Sequence, residues 1–68
     1  MKNNIRVERA IKRMTQQELA DFAGVSRQTI NAIEAKKYIP SAVLLLKIAS
    51  VFEKKVEDIF SLEESDWK

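Results

Sequence analysis

The sequence predicts a small all-α domain, and three observations predict it. Of its 68 residues 46% are hydrophobic, with a single glycine and a single proline, a composition that favours an ordered helical chain over a disordered one. Apolar residues recur at helical spacing in short runs, and Thr15, Ser26 and Ser41 each stand just before one of them, where a side-chain oxygen can satisfy orphan amides. The length permits one domain, and a chain this short buries only about 60% of the surface its unfolded form exposes. Its stability must therefore come from a tight helical core or from association.

A first helix over residues 4–13 offers Ile5, Ala10, Ile11 and Met14 to the core and keeps Arg6, Lys12 and Arg13 outside, with Val7 and Glu8 ambiguous. The second starts after Thr15. Glu18 follows three residues later, the spacing of a capping box, and Leu19, Ala20, Phe22 and Ala23 form the inward stripe. Gly24, the only glycine, stands where this helix must end and φ must turn positive. Val25 returns to the core and Ser26 caps a third helix over about residues 26–35. So short a connection forces the two helices to cross steeply. Pro40 ends the following loop, Ser41 caps a fourth helix over 42–52, and a short last helix over 56–60 closes the bundle with Ile59 and Phe60.

The third helix carries the chemistry. At about 100° per residue, Ile30 and Ile33 point one way, while Arg27, Gln28, Asn31, Ala32 and Ala35 point the other and Glu34 sits at the boundary. That outer face holds side chains able to pair with base edges, Arg with guanine and Gln or Asn with adenine, on a surface the alanines keep low. The bland alternative is a solvated helix face of common polar residues. Turn geometry and face composition together favour a rod that enters the major groove of double-stranded DNA.

Catalysis is not expected. Histidine and cysteine are both absent, which removes the usual general base and the usual metal ligands, and no glycine-rich loop is present to cradle a phosphate. No metal, cofactor or small-molecule effector is expected. The segment MKNNIRVERAIKR lacks an apolar stretch of signal-peptide type, and the run AVLLL is too short to cross a membrane. A cytoplasmic location is the expectation.

Charge is uneven. Residues 1–55 carry eleven basic and five acidic side chains, residues 56–68 one basic and five acidic. An acidic tail is repelled by phosphate, so residues 63–68 are expected on the face away from DNA. On the fourth helix, Ala42, Leu45, Leu46, Ala49 and Phe52 suffice for one core stripe, and Leu44, Ile48 and Val51 extend the apolar arc well beyond it. This surplus, with Phe60 and Trp67, predicts a homodimer whose interface includes Leu44, Val51, Phe60 and Trp67, and hence a near-palindromic site.

From Ile5 and Arg9 through TQQELA, AGVS and RQTINAIE to Tyr38-Ile39-Pro40-Ser41 and VEDIF, residues 2–62 resemble the lambda-repressor-like, Cro-type helix-turn-helix regulators of the XRE family. The resemblance implies a five-helix DNA-binding domain over residues 1–62, with its helix-turn-helix at the second and third helices and a short tail over 63–68. It implies base contacts from Arg27, Gln28 and Asn31, and backbone contacts from Gln16, Gln17, Ser26, Lys36 and Lys37. It also implies a structural pairing of Arg9 with Glu34, a close helix crossing at small Ala20, and the turn at Gly24. The function implied is transcriptional regulation, most simply repression. The alternative is a helical protein-interaction module, or an antitoxin-like partner protein, that keeps the same fold. The chain departs from the family where glycines commonly follow the third and fourth helices, having Ala35-Lys36-Lys37 and Glu53-Lys54-Lys55 instead. A positive φ at Lys36 or Glu53 would cost about 1 kcal/mol, so those loops are expected to be shaped differently.

Overall fold

In a computed structural model, which describes residues 1–68, five helices follow one another: α1 (Ile5–Lys12), α2 (Gln16–Ala23), α3 (Arg27–Glu34), α4 (Ala42–Val51) and α5 (Val56–Ile59). Two features lie outside the all-helical expectation. A two-residue strand β1 (Lys2–Asn3) pairs antiparallel with β2 (Phe60–Ser61), Lys2 opposite Ser61 and Asn3 opposite Phe60. A 3-10 turn, Glu64–Trp67, then gives the acidic tail a defined shape. No helix is long and apolar enough to cross a membrane.

Local signals set most helix ends. Thr15 accepts from the Glu18 amide at 3.0 Å while Glu18 accepts from the Thr15 amide at 2.9 Å, a complete capping box. Ser26 and Ser41 accept from the amides of Thr29 and Leu44, each at 3.2 Å. Gly24 ends α2 with φ 74°. The loops after α3 and α4 correct the expectation of a different shape: Lys36 (φ 63°) and Glu53 (φ 55°) adopt the left-handed conformation without glycine, as does Arg13 (φ 53°) after α1. The reason is the paired backbone bonds that close each end. Lys37 donates to the Ala32 carbonyl and Lys36 to Ile33, and Lys54 donates to Ala49 and Glu53 to Ser50. These satisfy carbonyls the helix would otherwise leave orphaned.

Twelve residues form the core: Ile5, Leu19, Ala20, Ala23, Ile30, Ile33, Leu44, Ile48, Ala49, Phe52, Ile59 and Phe60. Three stripes differ from expectation. On α1 only Ile5 and Glu8 are buried, while Ala10 and Ile11 are exposed. The inward face of this helix is largely ionic, Glu8 meeting Lys54 at 3.3 Å and Arg9 meeting Glu34 at 2.7 Å. Phe22 of α2 points to solvent, because Leu19, Ala20 and Ala23 already complete the contact with α3 and α4. On α4 the buried stripe is Leu44, Ile48 and Ala49, so Ala42 and Leu46 lie outside. A helix apolar around most of its circumference does not specify its own rotation; α2 on one side and α5 on the other do.

Candidate nucleic-acid interface

The geometry of α3 follows from the turn that launches it. The left-handed Gly24 reverses the chain, Val25 packs against the core, and Ser26 caps α3 while its hydroxyl lies 3.0 Å from that of Thr29. Ile30 and Ile33 are then driven inward, each at most 1% exposed. Arg27, Gln28, Asn31 and Ala35 are left exposed on the opposite face, with Ala32 half-buried. No ion pair within the chain engages Arg27, Lys37 or Lys47.

Behind that face lies one ion pair with branches. Arg9 donates Nε to Glu34 Oε2 at 2.7 Å, Nη2 to Glu34 Oε1 at 3.0 Å and Nη1 to the Met14 carbonyl at 2.9 Å. Gln16, the first residue of α2, donates Nε2 both to Glu34 Oε1 and to Asn31 Oδ1, each at 3.2 Å. Arg6 approaches Glu34 at 3.6 Å. Burial pushes the Glu34 carboxyl up, but the hydrogen bonds from Arg9 and Gln16 and the charges of Arg9 and Arg6 outweigh it and hold the group below its ordinary value. The carboxylate thus joins α1, α2 and α3 through three different side chains.

The residues expected to meet the DNA backbone have other partners within the chain. Gln16 is occupied as described, Gln17 donates to Asp21 at 2.8 Å, and Lys36 donates to Glu63 at 2.9 Å. Only Lys37 has a free side chain. The Lys36 contact sets the acidic tail, which was expected on the opposite side of the domain, beside the end of α3. Pairing of β1 with β2, together with a bond from Asn3 Nδ2 to the Ile33 carbonyl at 2.9 Å, carries the end of the chain to the end of α3. There Glu63 and Asp66 also surround the Met1 ammonium, at 3.5 and 2.9 Å. Asp66 and Glu63 hold that ammonium's pKa above its ordinary value. Lys36 lowers the pKa of Glu63, and a backbone bond from Glu63 lowers that of Asp66. Contacts so distant in sequence carried no signal that a reading of local spacing could detect.

Two of the four residues expected at a dimer interface are largely covered within the chain, although Phe60 keeps an edge on an open groove. Leu44 and Phe60 are buried in the chain's own core, at 6% and 4% exposure, because α4 is rotated from its expected setting and β2 draws Phe60 under β1. Val51 is half-buried and Trp67 exposed. Two apolar surfaces remain open and share no residue. One is a groove lined by Met1, Leu45, Val56, Phe60 and Leu62, the other a shallow cleft lined by Phe22, Val43, Leu46 and Val51.

A family profile described as helix-turn-helix matches residues 5–59. An uncharacterized HTH-type transcriptional regulator of Methanocaldococcus jannaschii is 52% identical over 66 residues, covering 97% of this chain and all of that one. The uncharacterized HTH-type transcriptional regulator YgzD of Bacillus subtilis is 46% identical over 66 residues, with the same shares covered. Among solved structures, the clp gene regulator ClgR from Corynebacterium glutamicum superposes with a TM-score of 0.74 at 30% identity, covering 79% of this chain and 57% of that one, so the likeness spans little more than half of ClgR. With the α2–α3 turn, the buried Ile30 and Ile33 and the exposed polar face of α3, these matches establish that the chain belongs to the helix-turn-helix family, in its lambda-repressor-like, XRE-type branch.

Proposed function

We propose that this protein is a sequence-specific, double-stranded DNA-binding transcriptional regulator, most simply a repressor, that reads the major groove with α3. The observation that carries the reading is the division of α3. Ile30 and Ile33 are locked into the core while Arg27, Gln28 and Asn31 stand exposed together, with no large apolar side chain among them. A protein-docking face would be expected to present apolar or aromatic anchors at this place. On this reading Arg27, Gln28 and Asn31 meet base edges, while Lys37, Ser26 and the amides at the start of α2 hold phosphates. Lys36 reaches phosphate only by leaving Glu63.

The protein acts in the cytoplasm as a two-fold dimer on a near-palindromic operator. What supports the dimer is the open apolar groove of Leu45, Val56 and Leu62, which a second copy would cover. Two-fold pairing sets the recognition helices about 34–36 Å apart, one turn of duplex.

Selection of bound duplexes from a random pool tests both parts. Arg27→Ala, Gln28→Ala and Asn31→Ala should each cost roughly 1–3 kcal/mol on the selected site and relax preference at one base pair. Losses that are uniform over all sequences for all three would refute the assignment of the reading face. A single asymmetric half-site, together with a monomer mass in sedimentation equilibrium at micromolar concentration, would refute the dimer; Leu62→Glu should dissociate it.

A further inference from the structure

Asn31 is the only residue of the exposed α3 face whose side chain is tied to another helix, and the sense of that tie is dictated by chemistry. A carboxylate can only accept hydrogen bonds. Glu34 therefore obliges the Gln16 amide to turn its NH2 group inward, where Nε2 lies 3.2 Å from Glu34 Oε1. That NH2 has a second hydrogen, directed to Asn31 Oδ1 at 3.2 Å. Asn31 must then turn its oxygen toward Gln16, which leaves Nδ2 as the free donor at the exposed surface. The upstream end is rigid, since Glu34 is held by two bonds from Arg9 and its side chain is only 2% accessible.

We propose that Gln16 is a positioning residue for base readout, a relay through which Glu34 sets the Asn31 amide with its NH2 group toward the DNA. The proposal rests on α3 being the reading helix. Its consequence is a polarity of recognition. In the major groove purines present N7, guanine also O6, and thymine O4 as acceptors, whereas cytosine presents only a donor amino group. The base edge preferred by Asn31 is therefore a purine or thymine. An adenine can use both ends of the amide, because Oδ1 keeps a second lone pair. Cytosine is disfavoured, since its amino group can reach only that remaining lone pair and leaves the outward NH2 of Asn31 facing no acceptor, while a reversed amide would set that NH2 against the NH2 of Gln16.

The test is a titration of variants against the selected site and the three single-base changes at each position. Asn31→Ala identifies the base pair concerned, where it should bring the four affinities together. Gln16→Met removes the relay but keeps side-chain length. It should narrow discrimination against cytosine at that same base pair by roughly 2- to 10-fold, the net weight of one hydrogen bond, while any lost phosphate contact lowers all sequences alike. Gln16→Glu offers Asn31 an acceptor in place of a donor. It should turn the Asn31 oxygen outward and shift the relative preference toward cytosine, whatever its general effect on affinity. Equal losses on all four bases with Gln16→Met, and no shift with Gln16→Glu, would overturn the relay and leave Gln16 a backbone contact alone. An Asn31→Ala protein with every base preference intact would overturn the reading face beneath it.

Discussion

Replacing Arg9 with methionine should be far more damaging than replacing Arg9 and Glu34 together. The pair is two-pronged, at 2.7 and 3.0 Å, and the side chains are 15% and 2% accessible. Removing one partner of a fully buried pair costs about 3–5 kcal/mol, because the other charge is stranded. Here Gln16 still donates to Glu34, and Arg6 lies 3.6 Å away but 77% exposed. Against that relief, the Met14 carbonyl loses its donor. The balance for Arg9→Met is about 2–4 kcal/mol at pH 7, out of roughly 3–10 kcal/mol in all for a chain of this length. Arg9→Met/Glu34→Leu removes both charges and should recover at least half of the loss. The pH dependence adds a check with a definite sign. In the parent, Glu34 lies below its ordinary value of 4.5, so its stabilisation is present above that value and is lost as pH falls through the folded pKa. In Arg9→Met the burial is left with less opposition and raises the same carboxyl, so protonation favours the folded state. The gap between parent and variant should therefore close on acidification from pH 7 to pH 3.5. Urea unfolding followed by circular dichroism at both pH values measures it. A loss under about 1 kcal/mol that does not change with pH would refute the claim that this carboxylate is held by Arg9.

What could be read from the sequence, and what could not, separates along one physical line. Helix starts were legible because a cap is a local event: Thr15 with Glu18, Ser26 and Ser41 each act within three residues. The division of α3 was legible for the same reason, its apolar positions being few and its polar face unbroken. The rotation of α4 was not, because eight of its ten residues from Ala42 to Val51, all but Lys47 and Ser50, are apolar and leave almost no polar face to mark the outside. The inward face of α1 misled in the opposite sense. Ile5, Ala10, Ile11 and Met14 made the apolar stripe, yet Ala10 and Ile11 are exposed, while Glu8 and Arg9 are turned inward by partners at Lys54 and Glu34. Charges whose partners are 25 or more residues away leave no periodic trace. The glycine rule also failed at Lys36 and Glu53, where backbone bonds at the helix end outweigh a strain of about 1–2 kcal/mol. On the exposed face of α3 the residue types were visible in sequence, while the neighbours Gln16 beneath Asn31 and Glu63 beside Lys36 were not.

Four further outcomes are expected. Ala20 has no accessible surface and sits where α2 meets α3 and α4, so Ala20→Leu should cost about 1–3 kcal/mol by overpacking and weaken DNA binding with it; a thermal melt unchanged from the parent would remove Ala20 from the crossing. Glu63→Gln should release Lys36 from its 2.9 Å bond and steepen the salt dependence of DNA binding by about 0.9 in log–log slope without altering base preference; an unchanged slope would mean that Lys36 does not reach phosphate once freed. Glu53→Gly tests the strain after α4, where φ is 55°. Relief of about 1–2 kcal/mol at a left-handed residue is opposed by about 0.4–1 kcal/mol from the added freedom of the unfolded chain. The lost contact to Lys12 is long, at 4.0 Å, and the Glu53 side chain is 84% accessible, so it contributes little. The net is a gain of roughly 0.5 kcal/mol, small but measurable in urea titrations because C-cap geometry and core are unchanged. Lys36→Gly relieves the same strain but gives up the Glu63 bond, so its gain should be smaller at low salt and approach that of Glu53→Gly at high salt, where the ion pair is screened. A loss of more than about 1 kcal/mol for Glu53→Gly would mean that the left-handed residue is not a reservoir of strain.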